Sequence, residues 1–257
     1  MYGAGGGSAL RVGPLLRGLA ATLAFFLLAL AAAACNGDGG NPSPQADETP
    51  SASQTPAANE SPATGKDVED LKALGAKSAD VVAAVTYKYR AELKGQTAQT
   101  VEGEWVLVRR SPDVRFEVAP SGAGRTIIIS SRGKRYVCTS ANGKEQCLAT
   151  AEVGQPIADL APFFDVPRQV AASPAEVSLV GRSQRTIAGH DASCFTTSAG
   201  LVGVGESPMC LSVEGIILFL SMETSQGTFT FEAVSVSQDV TDEDFKPPYS
   251  VVEAPPS

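Results

Sequence analysis

The sequence predicts an α+β fold in which one N-terminal helix precedes a long series of short antiparallel strands. Two observations lead to this prediction. Apolar residues at helical spacing occupy a segment after residue 66, and alternating segments bounded by turn signals follow it as far as residue 236. Short strands joined by tight turns indicate an antiparallel sheet with strong curvature or closure.

The predicted helix runs from Asp67 to about Ala84. Its apolar residues lie close to helical spacing and are Val68, Leu71, Leu74, Val81, Val82 and Val85. Gly75 weakens the middle of this segment, so two short helices are the alternative.

The first predicted strand shows strict alternation, as is typical of a half-buried strand. One side carries Tyr87, Tyr89, Ala91 and Leu93, and the other carries Thr86, Lys88, Arg90 and Glu92. Further strands are predicted at 100–109, 115–119, 126–131, 134–139, 144–149, 176–187, 192–197, 210–213, 216–222 and 228–236.

One turn predicts a disulfide. Asn142-Gly143 is a strong signal for a two-residue type I′ hairpin loop. Pairing outward from it places Cys138 opposite Cys147 in a non-hydrogen-bonded pair, where the Cα atoms come nearest and a disulfide is feasible. Cys194 and Cys210 then pair by elimination. A four-cysteine zinc site is the alternative, but the chain lacks close CxxC pairs.

Residues 1–34 predict a secretory signal, because a short basic region precedes an uncharged apolar stretch that is too short to span a bilayer comfortably. Cys35 follows directly, in an arrangement that resembles the lipobox of bacterial lipoproteins, although Ala32 stands where that motif usually has Leu. An ordinary signal peptide with a chance cysteine is the alternative. Five cysteines are an odd number for an exported chain, and lipidation of Cys35 would leave an even set.

Residues 35–65 predict a lipidated cysteine followed by a disordered tether. From Asn36 to Gly65 there is no Val, Ile, Leu, Met, Phe, Trp or Tyr, so the segment lacks the apolar surface that folding requires. A coil of about 30 residues has a reach on the order of 30 Å. We expect a folded domain at 66–250 and a disordered tail at 251–257, held on the outer face of a bacterial membrane through the Cys35 anchor.

Signals for nucleic-acid binding and for catalysis are weak. The net charge of -8 and the lack of basic clusters argue against nucleic acid as a partner. His190 is the only histidine and lies in a Gly-His-Asp turn, while Gly205-Glu206-Ser207-Pro208 departs from the nucleophile-elbow pattern at its last position. No clustered metal ligands and no phosphate-binding glycine loop are evident. We therefore expect no enzymatic activity and no cofactor.

The lipoprotein signal, the polar tether, the helix and the long meander are together similar to the LolA/LolB superfamily of lipoprotein and lipid carriers, with LprG/LppX-like lipoproteins nearest in layout. The closing stretch Asp242-Glu243-Asp244-Phe245-Lys246-Pro247-Pro248 adds to this resemblance, which covers roughly 67–250. The resemblance implies an incomplete β-barrel that is plugged by helices and encloses an apolar cavity for acyl chains.

Apolar residues on the predicted concave side of the sheet are candidates for the cavity wall. They are Tyr87, Tyr89, Leu93, Trp105, Leu107, Phe116, Val118, Ile127, Ile129, Phe195, Ile217, Phe219, Phe229 and Phe231. A packed core without a cavity is the alternative for such alternating aromatic residues.

The segment 156–167 is too rich in proline for a central strand and too apolar for a freely solvated loop. A short helix or lid across the open edge of the barrel fits, with Ile157, Leu160, Phe163 and Phe164 as its apolar residues. A permanent structural plug is the alternative.

Two functional hypotheses follow. The first is a membrane-anchored extracytoplasmic lipoprotein that binds or carries an apolar ligand, a lipid acyl chain. The second is a non-carrier sensing or scaffolding module at the cell surface with a filled core. Neither hypothesis identifies a protein partner.

Overall fold

The computed structural model describes residues 61–94, 99–151, 167, 178–198 and 206–253. These residues contain one α-helix, two 3₁₀ turns and a single sheet of 13 strands, all within one compact unit. The predicted α+β fold with a curved antiparallel sheet is confirmed. Within the described ranges, no helix has the length and apolarity needed to cross a bilayer.

The helix α1 covers Gly65–Lys77, and the 3₁₀ turns cover Ser78–Asp80 and Asp242–Phe245. The strands are β1 Ser61–Pro62, β2 Ala83–Leu93, β3 Gln99–Arg110, β4 Asp113–Pro120, β5 Arg125–Ser131, β6 Lys134–Ala141, β7 Lys144–Ala151, β8 Leu179–Ile187, β9 His190–Thr197, β10 Ser207–Ser212, β11 Ile217–Thr224, β12 Gly227–Ser237 and β13 Val251–Glu253.

The sheet is open, with strand order β1-β8-β9-β10-β11-β12-β2-β3-β4-β5-β6-β7-β13. Neighbours are antiparallel except β13, which pairs with β7 in parallel. The sheet curves enough to bring β12 near β8, although three strands lie between them in the order. The two edge strands were not predicted: β1 lies in the segment assigned to the tether, and β13 lies in the segment assigned to the disordered tail.

The helix is shorter than predicted. Thr64 and Asp67 form a capping box at its start, in which the Thr64 backbone N–H and hydroxyl both donate to the Asp67 carboxylate at 2.7 Å. The helix ends at Lys77, and β2 already begins at Ala83. The prediction failed because Val81 and Val85 fit a helical and an alternating pattern equally well, and alternation continues through Tyr87 and Tyr89.

The sheet has two differently covered faces, which the register defines. The helix-side face carries Ala83, Val85, Tyr87, Tyr89 and Ala91 of β2 together with the residues directly opposite them in neighbouring strands. The other face, here called the strap-side face, carries Val108, Ile127, Ile129, Cys138 and Cys147.

The C-terminal strap, residues 240–249, covers part of the strap-side face. The ring of Phe245 is buried in the cluster on that face, with Val240 and Tyr249 packed beside it. The Asp242 carboxylate accepts hydrogen bonds from Arg110 at 2.7 Å and from Arg132 at 2.5 Å. The strap therefore supplies the cover that the apolar strand β5 needs on this side.

Both predicted disulfides are present. Cys138–Cys147 joins directly opposite residues of β6 and β7, and Cys194–Cys210 does the same for β9 and β10. Asn142 and Gly143 have φ angles of 54° and 74°, as the predicted type I′ turn requires. Chain-entropy arguments give each link about 3 kcal/mol of stabilisation, with a model-dependent mechanism.

Candidate functional site

A cluster of aromatic rings occupies the middle of the helix-side face. Trp105 of β3 is its centre, with the ring centroid of Phe231 at 4.5 Å, that of Phe116 at 4.8 Å in an edge-on arrangement, and that of Tyr89 at 5.6 Å. Register produces this cluster, since Tyr89 lies opposite Phe231 and the three strands β2, β3 and β4 are neighbours. The cluster presents a continuous aromatic surface on one face of the sheet.

Gly103 makes room for the Tyr89 ring. Tyr89 and Gly103 are directly opposite each other, and a Cβ atom on Gly103 would lie 2.7 Å from Cε1 of Tyr89 and 2.5 Å from the Ala119 carbonyl oxygen. Any larger residue would push the ring off β3. Glycine in this strand is therefore a packing requirement of the aromatic cluster.

Two tyrosines on this face are buried in different ways. The Tyr87 hydroxyl donates a hydrogen bond of 2.9 Å to the Ile217 carbonyl oxygen, which links β2 to β11. Burial raises the pKa of the Tyr87 phenol above its ordinary value and raises that of Tyr89 to about 12. Both phenols are therefore neutral throughout the physiological pH range.

The apolar face continues across β9 to β12. Its buried side chains there are Phe195, Met209, Leu211, Leu218, Leu220, Met222, Phe229 and Phe231. From β8 to β5 the face spans nine strands, which corresponds to about 40 Å at ~4.8 Å per strand. The 13-residue helix α1 is only about 20 Å long and about 10 Å wide, so it covers a minor part of this face.

An ionic contact fixes α1 on this face. The Arg182 guanidinium of β8 donates to the carboxylates of Asp67 and, at 2.9 Å, of Asp70. Its charge also lies 5.8 Å from the ring centroid of Phe195. The hydrogen bond from the Thr64 hydroxyl, followed by that from Arg182, lowers the pKa of Asp67 to about 2.

A small cavity lies at the C-terminal end of α1 and is partly open to solvent. Its volume of about 30 Å³ leaves room for only a few water molecules, at ~10–15 Å³ each. It is lined by Ser78, Val81, Ala83, Val85, Tyr87, Leu107, Arg109, Gly215, Ile216 and Ile217. An acyl chain does not fit into this space without movement of its walls.

Most predicted wall residues share the helix-side face, where register places Tyr87, Tyr89, Leu93, Trp105, Leu107, Phe116, Val118, Phe195, Phe229 and Phe231. Ile217 lies beside a register shift between β10 and β11 and lines the small cavity.

Three residues that were predicted for the cavity wall lie on the face of the sheet opposite the helix-side face. Ile127 and Ile129 belong to the strap-side face, because Ile128 is the residue opposite Phe116. Phe219 lies opposite Glu232 and Cys210, away from its buried neighbours Leu218 and Leu220. Both strands are apolar on both faces, so alternation alone could not decide their orientation.

The correct orientation of β5 was available from one turn. Pairing outward from Arg132-Gly133 places Ile127 opposite Cys138. Ile127 therefore belongs to the face that carries the Cys138–Cys147 disulfide, and Ile128 belongs to the opposite face of the sheet. Sequence reasoning also missed Met209, Leu220 and Met222 on the helix-side face.

The predicted lid residues Ile157, Leu160, Phe163 and Phe164 lie outside the described residues. The strands on either side of that segment, β7 and β8, follow each other in the chain but lie near opposite edges of the sheet. Pro167, which lies between these strands in sequence, is fully buried.

Groups suited to metal binding are absent among the residues that the structure describes. His190 begins β9 and is half-buried.

No family model matches this chain. No curated protein matches it either. Among solved structures, the MucA/MucB complex of Pseudomonas aeruginosa matches with 14% identity and a TM-score of 0.45, over 70% of this chain and 60% of that one. The chain thus spans about 60% of the length of the MucB structures that it matches.

Two further structures match nearly their whole length. LprF from Mycobacterium bovis has 12% identity and a TM-score of 0.41, over 74% of this chain and 99% of that one. A LolA superfamily protein from Nitrosomonas europaea has 12% identity and a TM-score of 0.32, over 72% of this chain and 98% of that one. The solved structures similar to this chain therefore include proteins of the LolA superfamily.

Proposed function

We propose that this chain is an extracytoplasmic lipoprotein that binds an apolar ligand, a lipid acyl chain, against the helix-side face of its sheet. The observation that carries the proposal is the continuous apolar face, which is rich in aromatic rings and much wider than α1. Such a face needs more cover than one short helix provides, so other groups bury it in the present structure, and an acyl chain is chemically suited to take their place.

The free energy of binding depends on how the interior opens. Burial of a sixteen-carbon chain contributes about 12 kcal/mol at ~0.8 kcal/mol per methylene. Association costs on the order of 4–15 kcal/mol, so the two contributions are of similar size. Because the described cavity holds only about 30 Å³, the ligand has to displace groups that now fill the interior.

We propose that the predicted lid lies in the connection between β7 and β8. Strands β7 and β8 lie near opposite edges of the sheet, and Pro167, which lies between them in sequence, is fully buried. In this proposal Ile157, Leu160, Phe163 and Phe164 form the lid over the bound chain.

The proposed location is the outer face of a bacterial membrane, with Cys35 as the lipid anchor and residues 36–60 as the tether. Two disulfides support an oxidising compartment. Cys35→Ser is expected to move the protein from the membrane fraction to the soluble fraction of cells, as judged by immunoblotting. Retention of this variant on membranes would contradict the anchor.

A non-carrier module with a filled core is the second candidate function. Two observations favour it: the rings around Trp105 pack at 4.5–5.6 Å, and the cavity beside them holds about 30 Å³, far too little for an acyl chain. For this function the aromatic cluster stabilises a surface domain and takes up no ligand.

Native mass spectrometry separates the two functions. The Cys35→Ser protein would be exported, purified without detergent and sprayed from a volatile buffer. A bound lipid mass supports the carrier function, as does uptake of a fluorescent phosphatidylcholine by protein that was purified empty. A clean apo mass together with no uptake supports the filled-core module.

A further inference from the structure

We propose that a row of apolar side chains at the β13 edge of the sheet binds the part of the acyl chain nearest the lipid headgroup, and that the headgroup lies in water beyond Val252. The row, here called the edge row, consists of Ile128, Val137, Leu148 and Val252. This inference rests on the proposed function and assigns the orientation of the ligand on the helix-side face.

Register joins the side chains of the edge row into one line. Ile128 of β5 lies directly opposite Val137 of β6, and Val137 lies directly opposite Leu148 of β7. Leu148 in turn pairs with Val252 of β13. Because directly paired residues project from the same side of a sheet, the four side chains are neighbours on one face.

The inner end of the edge row meets the aromatic cluster. Ile128 lies directly opposite Phe116, and the ring centroids of Phe116 and Trp105 are 4.8 Å apart. Exposure increases outward along the row, from 4% at Ile128 to 41% at Leu148 and 54% at Val252. The row therefore connects the buried rings with solvent at the edge of the sheet.

Polar side chains restrict the edge row to the width of one residue. Its neighbours on the same face, two positions away along β5, β6 and β7, include Thr126, Thr139 and Gln146 on one side and Ser130 and Arg135 on the other. Residues two apart in a strand are separated by about 7 Å. A linear acyl chain fits a strip of this width. An α-helix, which is about 10 Å across, would also cover the polar groups of Thr139 and Gln146, which are exposed.

The length of the edge row indicates the direction of the ligand. From Phe116 to Val252 there are four strand spacings, or about 19 Å at ~4.8 Å per strand, which is comparable with an extended long-chain acyl group. The methyl end of the chain gains most from the buried rings, whereas a polar headgroup is costly to bury without hydrogen-bond partners. The headgroup therefore belongs at the exposed end of the row.

The first test compares two matched pairs of substitutions in the Cys35→Ser protein. The edge-row variant carries Leu148→Thr and Val252→Thr. The control variant carries Val234→Thr and Val251→Thr, at positions that are 42% and 43% exposed. Val251 precedes Val252 in β13 but belongs to the strap-side face. Because threonine favours strands and all four positions are exposed, both variants should keep the circular dichroism and melting temperature of the parent.

Binding of a phosphatidylcholine with a pyrene-labelled acyl chain would be titrated for the parent and both variants. We expect the edge-row variant to bind about tenfold more weakly than the control variant, because two apolar contacts with the chain are lost. Equal affinities of the two variants would overturn the edge row alone. A parent protein that binds no lipid would overturn the proposed function and the edge row together.

The second test measures the orientation of the lipid without any substitution in the row. Two phosphatidylcholines would be bound separately, one brominated near the methyl end of its acyl chain and one brominated near the ester. We expect Trp105 fluorescence to be quenched more strongly by bromine near the methyl end. Equal or stronger quenching by bromine near the ester would overturn the proposed orientation.

A second copy of this chain is the alternative occupant of an apolar sheet edge. Sedimentation equilibrium of the parent and of the edge-row variant distinguishes the two occupants. A monomeric parent supports the acyl chain. A parent dimer that dissociates only in the edge-row variant would assign the row to a contact between two copies and would overturn its role in lipid binding.

Discussion

At the scale of single residues, Gly103 is the position on which the aromatic cluster depends most closely. The Tyr89 ring occupies the space in which any other side chain would begin. Glycine in the interior of a strand normally weakens the strand, so its presence here reflects the close approach of a neighbouring ring.

Gly103→Ala should destabilise the protein by roughly 1–3 kcal/mol, because its Cβ atom would force Tyr89 and the adjacent backbone apart. Urea unfolding followed by circular dichroism measures this loss. Gly65→Ala is the control, since the residue begins α1 and a Cβ atom added there would meet nothing within 4 Å beyond its own chain neighbours. Equal unfolding midpoints for the two variants would show that the packing of the Tyr89 ring does not require glycine at position 103.

Asp67 links the start of α1 to β8 through Arg182, and its lowered pKa gives this link a defined pH dependence. The folded-state pKa of about 2 lies below the ordinary value of 3.8, so the ionised carboxylate stabilises the fold above pH 3.8. That contribution is lost as the pH falls through the folded-state pKa.

Thermal melts of the parent and of Asp67→Asn should therefore differ at pH 5 and converge as the pH falls toward 2. Asp239→Asn, at an exposed position near the end of β12, is the control and should track the parent at every pH. If the difference in melting temperature between the parent and Asp67→Asn stays constant down to pH 2, the ionic role of Asp67 is contradicted.

At the scale of elements, β5 shows what sequence could and could not predict. The Asn142-Gly143 turn set the register of β6 with β7 correctly, because its backbone conformation admits a single pairing. The orientation of Ile127, Ile128 and Ile129 was assigned incorrectly, because the strap covers one face and the sheet interior the other, and both demand apolar residues.

The short edge strands and the end of α1 could not be predicted from local sequence patterns either. Strands β1 and β13 have two and three residues, too few for any periodicity, and tertiary contacts alone place them at the edges. The end of α1 depended on the Val213–Gly215 turn against its last residues, which is a long-range contact.

Adjacent isoleucines of β5 offer a matched test of the two faces. Ile127→Ala and Ile128→Ala should each cost about 2–5 kcal/mol of stability, because both side chains are buried. Only Ile128→Ala should weaken uptake of fluorescent phosphatidylcholine, since Ile127 lies under the strap. Weakened uptake by Ile127→Ala alone would place the ligand on the strap-side face.

At the scale of the whole molecule, the two faces of the sheet differ. The strap-side face is covered by the strap near β3 to β7 and carries ion pairs. The helix-side face is one long apolar surface that α1 covers only in part. The fold class and both disulfides followed from the sequence. The packing of the helix-side face did not, because packing density depends on how side chains from distant strands meet. The proposed function depends on whether the apolar side accepts a ligand.

Trp105 offers the sharpest test of ligand binding, because it is the only tryptophan of the chain and the centre of the aromatic cluster. Its fluorescence would be recorded in the Cys35→Ser protein during loading with phosphatidylcholine that carries a brominated acyl chain, and with the unbrominated lipid as control. We expect strong quenching by the brominated lipid alone, as a chain against the helix-side face brings bromine to the indole ring. Bound lipid without any quenching of Trp105 would show that the acyl chain does not lie on this face.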